Sequence, residues 1–191
     1  MDWKFYLGIL AGLIAFIAYV VYIRSILRGE SKPSRTTWWI WSLMGLVLFL
    51  SYFFSGAENT IWVPLIEFIG PLSIAIFSIK YGEGGLDNKT DIICLVGAIV
   101  SIIVWIIFNN PVVALTTNLF IDSFALIPTI RKSYLRPENE SFKAWFGTWI
   151  ADTLNLFAVE KISFALLIYP VYMFISDTVV IIILKIKKKK V

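Results

Sequence analysis

Apolar residues run along this chain in seven long blocks, at 4–23, 36–54, 61–79, 90–108, 111–130, 142–159 and 162–184. Each has the length of about 20 residues that carries a helix across a hydrocarbon core. The blocks do not alternate apolar with polar positions. They are also about twice as long as a barrel strand, which excludes a β-barrel. The pattern therefore predicts an all-α polytopic membrane protein with seven transmembrane helices. The polar breaks at 25–35, 80–89 and 132–143 are long, and those at 55–60, 109–110 and 160–161 are short. Long and short breaks alternate, as loops on two sides of a membrane do.

Charge gives the helices a direction. The chain has 17 Lys and Arg residues, and all but Lys4 and Lys161 fall on the side of the long breaks. Cytoplasmic loops carry such an excess, so the N-terminus is expected outside and the C-terminus inside. The net charge of +4 then marks topology and contact with anionic lipid at the cytoplasmic face, not a nucleic-acid partner.

With 59% hydrophobic residues and a mean hydropathy of +0.81, seven helices use most of the 191 residues and leave no room for a second soluble domain. No cleavable signal peptide is expected, because the first block is too long for a signal core. The single cysteine, Cys94, permits no internal disulfide. The absence of His removes the commonest general base and metal ligand, so neither a metal nor a cofactor is expected. Abundant Ile and Lys suit a microbial chain, and a prokaryotic plasma membrane is the expected location. The terminal Lys188-Lys189-Lys190-Val191 is similar to a dilysine retrieval signal, but reads most simply as a membrane-surface anchor.

A shift of 107 residues lays Ile23-Arg24 on Ile130-Arg131, Ser34 on Ser141 and Trp38 on Trp145. Block 1 then maps to 5, 2 to 6 and 3 to 7, and an even shift preserves orientation. The expected organisation is two parallel three-helix repeats, 1–80 and 111–191, joined by a linker helix within 81–110 (3+1+3). The stretch Phe124-Ala-Leu-Ile-Pro128-Thr-Ile-Arg-Lys-Ser-Tyr134, followed by Ser141 and Trp145, resembles the PQ-loop pattern, with Thr129 where that pattern has Gln. In the first repeat Val21-Tyr22 stands at the Pro-Gln position. The chain as a whole thus looks like a member of the SWEET/PQ-loop superfamily. The resemblance implies alternating access between two bundles.

Ionisable residues inside a membrane are costly and default to a functional role. Here they are Glu67, Asp122, Asp152 and Asp177, all acids, with no base deep in any block. Asp91 sits at the mouth of block 4 and needs no such role. At about 1.5 Å per residue, Asp122 and Asp152 lie about 15–16 Å deep, near the midplane. Asn118 and Asp122 are i,i+4, and Thr148, Asp152 and Asn155 are i,i+4,i+7, so each set is one helix face. Trp149 is placed to wall a site, and Tyr169, Tyr172, Phe174 and Ser176 to complete it around Asp177. Under the 107-residue shift, Asn118, Asp122, Asp152, Asn155 and Asp177 fall on Ala11, Ala15, Gly45, Leu48 and Gly70, so the first repeat is expected to lack the polar set apart from Glu67. The Trp residues opening blocks 2 and 6 are expected in an interfacial belt.

Acids without bases must hold protons or cations. The expected function is a small-solute transporter working by alternating access, coupled to a proton or cation, for a small polar or cationic solute. The family resemblance implies that coupling would fall on Asp122, Asp152 or Asp177. The alternative is a non-transporting receptor or sensor of the same fold. An intramembrane aspartyl enzyme using Asp122 and Asp152 ranks behind both, and the chain is expected not to be an enzyme. A retinal protein is excluded for want of a Lys deep in block 7. Gly8 and Gly12 form a GxxxG pair, suited to close packing within the bundle or in a homo-oligomer.

Overall fold

Each apolar block forms a helix in the computed structural model, which describes residues 3–54, 56–84, 89–108 and 110–188. The terminal Lys189-Lys190-Val191 and the side chains of Asp91, Cys94, Phe124 and Pro128 lie outside the described residues. The helices are α1 (Trp3–Leu27), α2 (Arg35–Phe54), α3 (Trp62–Tyr81), α4 (Lys89–Phe108), α5 (Pro111–Leu135), α6 (Phe142–Phe157) and α7 (Phe164–Lys188), with a 3-10 turn at Pro137–Asn139 before α6. No β-strand occurs among the described residues; a lone parallel bridge joins Ser34 and Glu83.

Local chemistry sets several helix ends. At the end of α1, Gly29 takes a left-handed φ of 73°. There the Gly29 and Glu30 N–H groups donate back to the carbonyls of Ile26 and Ser25. This is the glycine-terminated helix cap, which only a residue without Cβ adopts cheaply. Asn110 caps α5 by accepting from Val112 and Val113, with Pro111 in the first turn, and Ser141 caps α6 by accepting from Ala144.

Among the described residues four helices are long and apolar enough to cross a membrane: α1, α2, α3 and Leu166–Lys187 of α7. Large apolar side chains such as Leu13, Ile17, Ile76, Ile106 and Ile182 face outward. The outer surface is thus as apolar as the inside, which a lipid environment explains and water does not. Helix α6 is shorter than the block that predicted it. Its 16 residues cover about 24 Å, less than a hydrocarbon core of about 30 Å.

Helix α3 packs on both α1 and α2, and α7 packs on both α5 and α6. Across the molecule α1 lies against α6, α2 against α5, and α4 against α5 and α2. Small residues permit the closest of these approaches. Gly8, Ala11, Gly12, Ala15 and Ala18 form one buried stripe on α1. A Cβ on Gly8 would come within 1.9 Å of the Asn59 carbonyl oxygen, one on Gly12 within 3.0 Å of the Trp62 side chain, and one on Gly147 within 2.8 Å of Ala18. The GxxxG pair is therefore occupied inside the bundle, by the segment leading into α3.

The loops gather at two ends. The segments after α1, α3 and α5 meet at the end where the basic residues lie. There Lys132 forms ion pairs with Glu140 at 3.0 Å and Glu83 at 3.9 Å and donates to the Lys32 carbonyl. The N-terminal start of α1 and the segments after α2 and α6 meet at the opposite end. There Lys4 donates to the Val159 carbonyl at 2.8 Å.

Candidate functional site

Between the helices lies a cavity walled by six of the seven, α1, α2, α3, α5, α6 and α7, with α6 contributing Ala144, Trp145 and Thr148. Three of the four expected acids reach it: Glu67 from α3, Asp122 from α5 and Asp177 from α7. None of its described lining residues is Lys or Arg.

A hydroxyl on another helix holds each acid. Tyr19 of α1 donates to Glu67 at 2.6 Å. Tyr172 of α7 donates to Asp122 at 2.5 Å. Thr148 of α6 donates to Asp177 at 2.6 Å. These contacts are short for hydrogen bonds between oxygens, and they fix the three carboxyl groups in place. Glu67 is the one acid expected in the first three-helix segment, and the first contact sets Tyr19 beside it. Hydroxyl on α1 and acid on α3 in one half answer acid on α5 and hydroxyl on α7 in the other. Both contacts pair a tyrosine hydroxyl with an acid, with the order of the two exchanged along the chain. A residue-by-residue shift cannot find such an exchange.

Asn118 lies one turn from Asp122 on the same cavity wall, as the i,i+4 spacing predicts. Its Nδ2 donates to the Met44 carbonyl at 3.1 Å. A carbonyl accepts only from the NH2 side of an amide, so this bond fixes the amide's orientation. The Asn118 Oδ1 is then left buried without a partner. The Tyr169 hydroxyl and the Trp41 indole N–H, both on cavity-lining residues, are buried and unpartnered too. Trp41 Nε1 lies near Asp122 without closing a hydrogen bond to it.

Of the expected site residues, Asp152, Asn155 and Trp149 are not among those lining the cavity. Asp152 is 1% exposed and sits outside the cavity's lining. One Asp152 oxygen and both polar atoms of Asn155 are buried without a partner. The i,i+4,i+7 pattern on α6 does mark one face, but only its Thr148 reaches the cavity, while Asp152 and Asn155 are buried against neighbouring helices. Trp149 turns outward. It stacks on Phe146 and Phe174 with centroids 5.7 and 5.9 Å away, and its N–H donates to Thr178 at 2.9 Å.

Aromatic residues supply much of the remaining wall, and the belt expectation hid them. Trp38 is 6% exposed and Trp145 9%, whereas the adjacent Trp39, at 44%, does face outward. Edge-to-face contacts link Trp38 to Trp41 at 5.0 Å and Trp41 to Trp145 at 6.1 Å, joining α2 of one half to α6 of the other. Tyr22 packs on Trp38 at 5.1 Å. Trp41 touches three separate apolar clusters, which makes it the central side chain of the basic half of the bundle. Beneath this group Glu140 accepts from the Tyr22 hydroxyl and the Trp145 indole N–H, both at 3.1 Å.

No family model, curated protein or solved structure matches the chain.

Proposed function

We propose that this chain is an integral membrane transporter for a small polar or cationic solute, coupled to a proton or cation and sited in a prokaryotic plasma membrane. The cavity carries this reading: three carboxyl groups drawn from α3, α5 and α7, with no base in the described wall. A structural role in helix packing would not require three acids to converge on one empty space, because a carboxylate is an expensive way to join helices.

Packing supports the expected 3+1+3 layout, and the basic residues of the loops after α1, α3 and α5 support an N-terminus outside. Exchanging α1–α3 with α5–α7 turns the α1–α6 contact into the α5–α2 contact, and both occur. Within each half the third helix packs on the first two. Alternating access is a rocking of two such units about a shared site, and residues of both units line this one.

A receptor or sensor of the same fold is the second reading. It is favoured by the hydrogen-bonded ties that close the loops at both ends of the bundle. Proteoliposomes holding a pH-sensitive dye, screened with small solutes, separate the two. Transport predicts solute-dependent acidification that Asp122→Asn and Asp177→Asn reduce at least tenfold. Solutes that raise the melting temperature without any flux would favour the receptor and sink the transporter.

A further inference from the structure

We infer that the cavity binds an organic cation bearing N–H donors, a protonated amine or guanidine with a small apolar body, held by Asn118 and Asp122 against the face of Trp41. This inference rests on the proposed solute-binding role of the same cavity and names the class of solute.

The first observation is the imbalance of hydrogen-bonding capacity. The hydroxyls of Tyr19, Tyr172 and Thr148 already donate to the three carboxyl groups. Each carboxylate still has room, since two oxygens offer about four acceptor sites. Asn118 Oδ1 adds an acceptor that is buried and unpartnered on a residue only 3% exposed. Against these stand two uncommitted donors, the Trp41 indole N–H and the Tyr169 hydroxyl. A buried polar atom without a partner costs about 1–3 kcal/mol, so the wall favours a ligand that brings donors. An anion finds no base here. A neutral polyol brings as many acceptors as donors and no positive charge to set against the carboxyl groups.

The second observation is the aromatic wall. Trp38, Trp41 and Trp145 stand edge to face across the cavity. The face of Trp is the best aromatic partner for an organic cation, and desolvation strengthens the attraction. An inorganic cation would use the oxygens and leave these faces idle. The third observation is that Met44, Leu48, Leu119 and Met173 also line the space. They offer a flexible apolar surface that suits the body of an amine and not its head.

The test uses the full chain purified in detergent and three probes of similar shape: benzylamine, benzyl alcohol and benzyltrimethylammonium. Tryptophan fluorescence follows each titration. Benzylamine is expected to bind at least tenfold more tightly than either of the others, since one lacks the charge and the other the N–H donors. Asn118→Leu and Asp122→Asn are each expected to lower benzylamine affinity at least tenfold and to leave benzyl alcohol unchanged. The ranking in the unaltered chain needs no variant to fold. Equal affinity for the amine and the alcohol overturns the cation, equal affinity for the two cations overturns the N–H donors, and no binding by any probe overturns the whole inference. Selective amine binding without benzylamine flux in proteoliposomes would keep the ligand class and refute transport. Flux of a neutral solute without amine binding would do the reverse.

Discussion

Two glutamates close the two ends of this bundle, and they do so by different means. Glu140, at the basic end, is buried among side chains from three helices: Lys132 of α5, Tyr22 of α1 and Trp145 of α6. Glu160, at the opposite end, is partly exposed and is held mainly by backbone. Its Oε1 accepts from the N–H groups of Glu58 and Thr60, each at 3.0 Å, and from that of Asn59 between them. The first tie is an ion pair whose members all rest on side-chain positions. The second is a loop whose successive N–H groups wrap an anion, as backbone nests do. Tyr22 and Trp145 also line the cavity, whereas none of residues 58–60 does. A ligand that moves the cavity wall therefore acts directly on the basic-end tie and not on the other. The two ends differ in how deeply the carboxylate is buried and in whether the cavity can reach it.

The largest effect is expected from Glu140→Gln. Removing one member of a buried ion pair typically costs 3–5 kcal/mol, because the other charge stays behind unpaired. Lys132 would keep Glu83 at 3.9 Å and the Lys32 carbonyl, which places the loss near the lower bound, about 3 kcal/mol. Denaturation of the purified protein, monitored by helical circular dichroism, measures it. A loss no greater than that of the corresponding change at Glu160 would erase the distinction between the ends.

Glu160→Gln is expected to cost about 1 kcal/mol, because the amide oxygen keeps part of the contact and the site is open to solvent. This variant also carries a pH signature. Burial alone would raise the Glu160 carboxyl, but the N–H groups gathered on it outweigh burial and hold it below its ordinary value. A depressed folded value means that the carboxylate stabilises fully above the unfolded value of about 4.3. That contribution disappears as pH falls through the lower folded value. The stability gap between wild type and Glu160→Gln should be constant from pH 7 to pH 5 and should close below about pH 4. A gap that widened on acidification would show that the charge does not stabilise the loop.

Much of this architecture was legible in the chain, and particular residues show where legibility ended. Apolar block length located all seven helices, because burying a backbone in lipid demands about 20 apolar residues in a row. The cost of a carboxyl group in the membrane likewise marked Glu67, Asp122 and Asp177. Helix ends were less legible. Block 1 stopped at residue 23, whereas α1 continues to Leu27, so Tyr19 and Tyr22 each lie about one turn deeper than apolarity alone suggests. Their role as partners of Glu67 and Glu140 was missed for that reason. Periodicity groups Thr148, Asp152 and Asn155 on one face but carries nothing about which neighbour that face meets. Glu140 belonged to a polar break that read as solvent-exposed. It folds back under Trp145, a long-range contact that no local pattern encodes. An acid one residue before a helix cap and five before a Trp is the only trace of it in the chain.

The smallest expected effect lies at the same end as the largest. Arg136 forms an ion pair with Glu83 at 3.4 Å, with 58% of the arginine side chain exposed. Solvent and salt screen such a pair, and double-mutant measurements of exposed pairs give about 0.2–1 kcal/mol. Arg136→Gln should therefore change stability by no more than about 0.5 kcal/mol, and 0.5 M salt should remove even that difference. Glu83 also faces Lys132, so Arg136 belongs to the same chain of charges as Glu140. If burial distinguishes the two ends, Arg136→Gln and Glu140→Gln differ several-fold although they cut one network. If they cost the same, the basic end is a collective charge cluster in which no single carboxylate is the tie. The contrast would then rest on the number of charges at each end and not on how deeply Glu140 is buried.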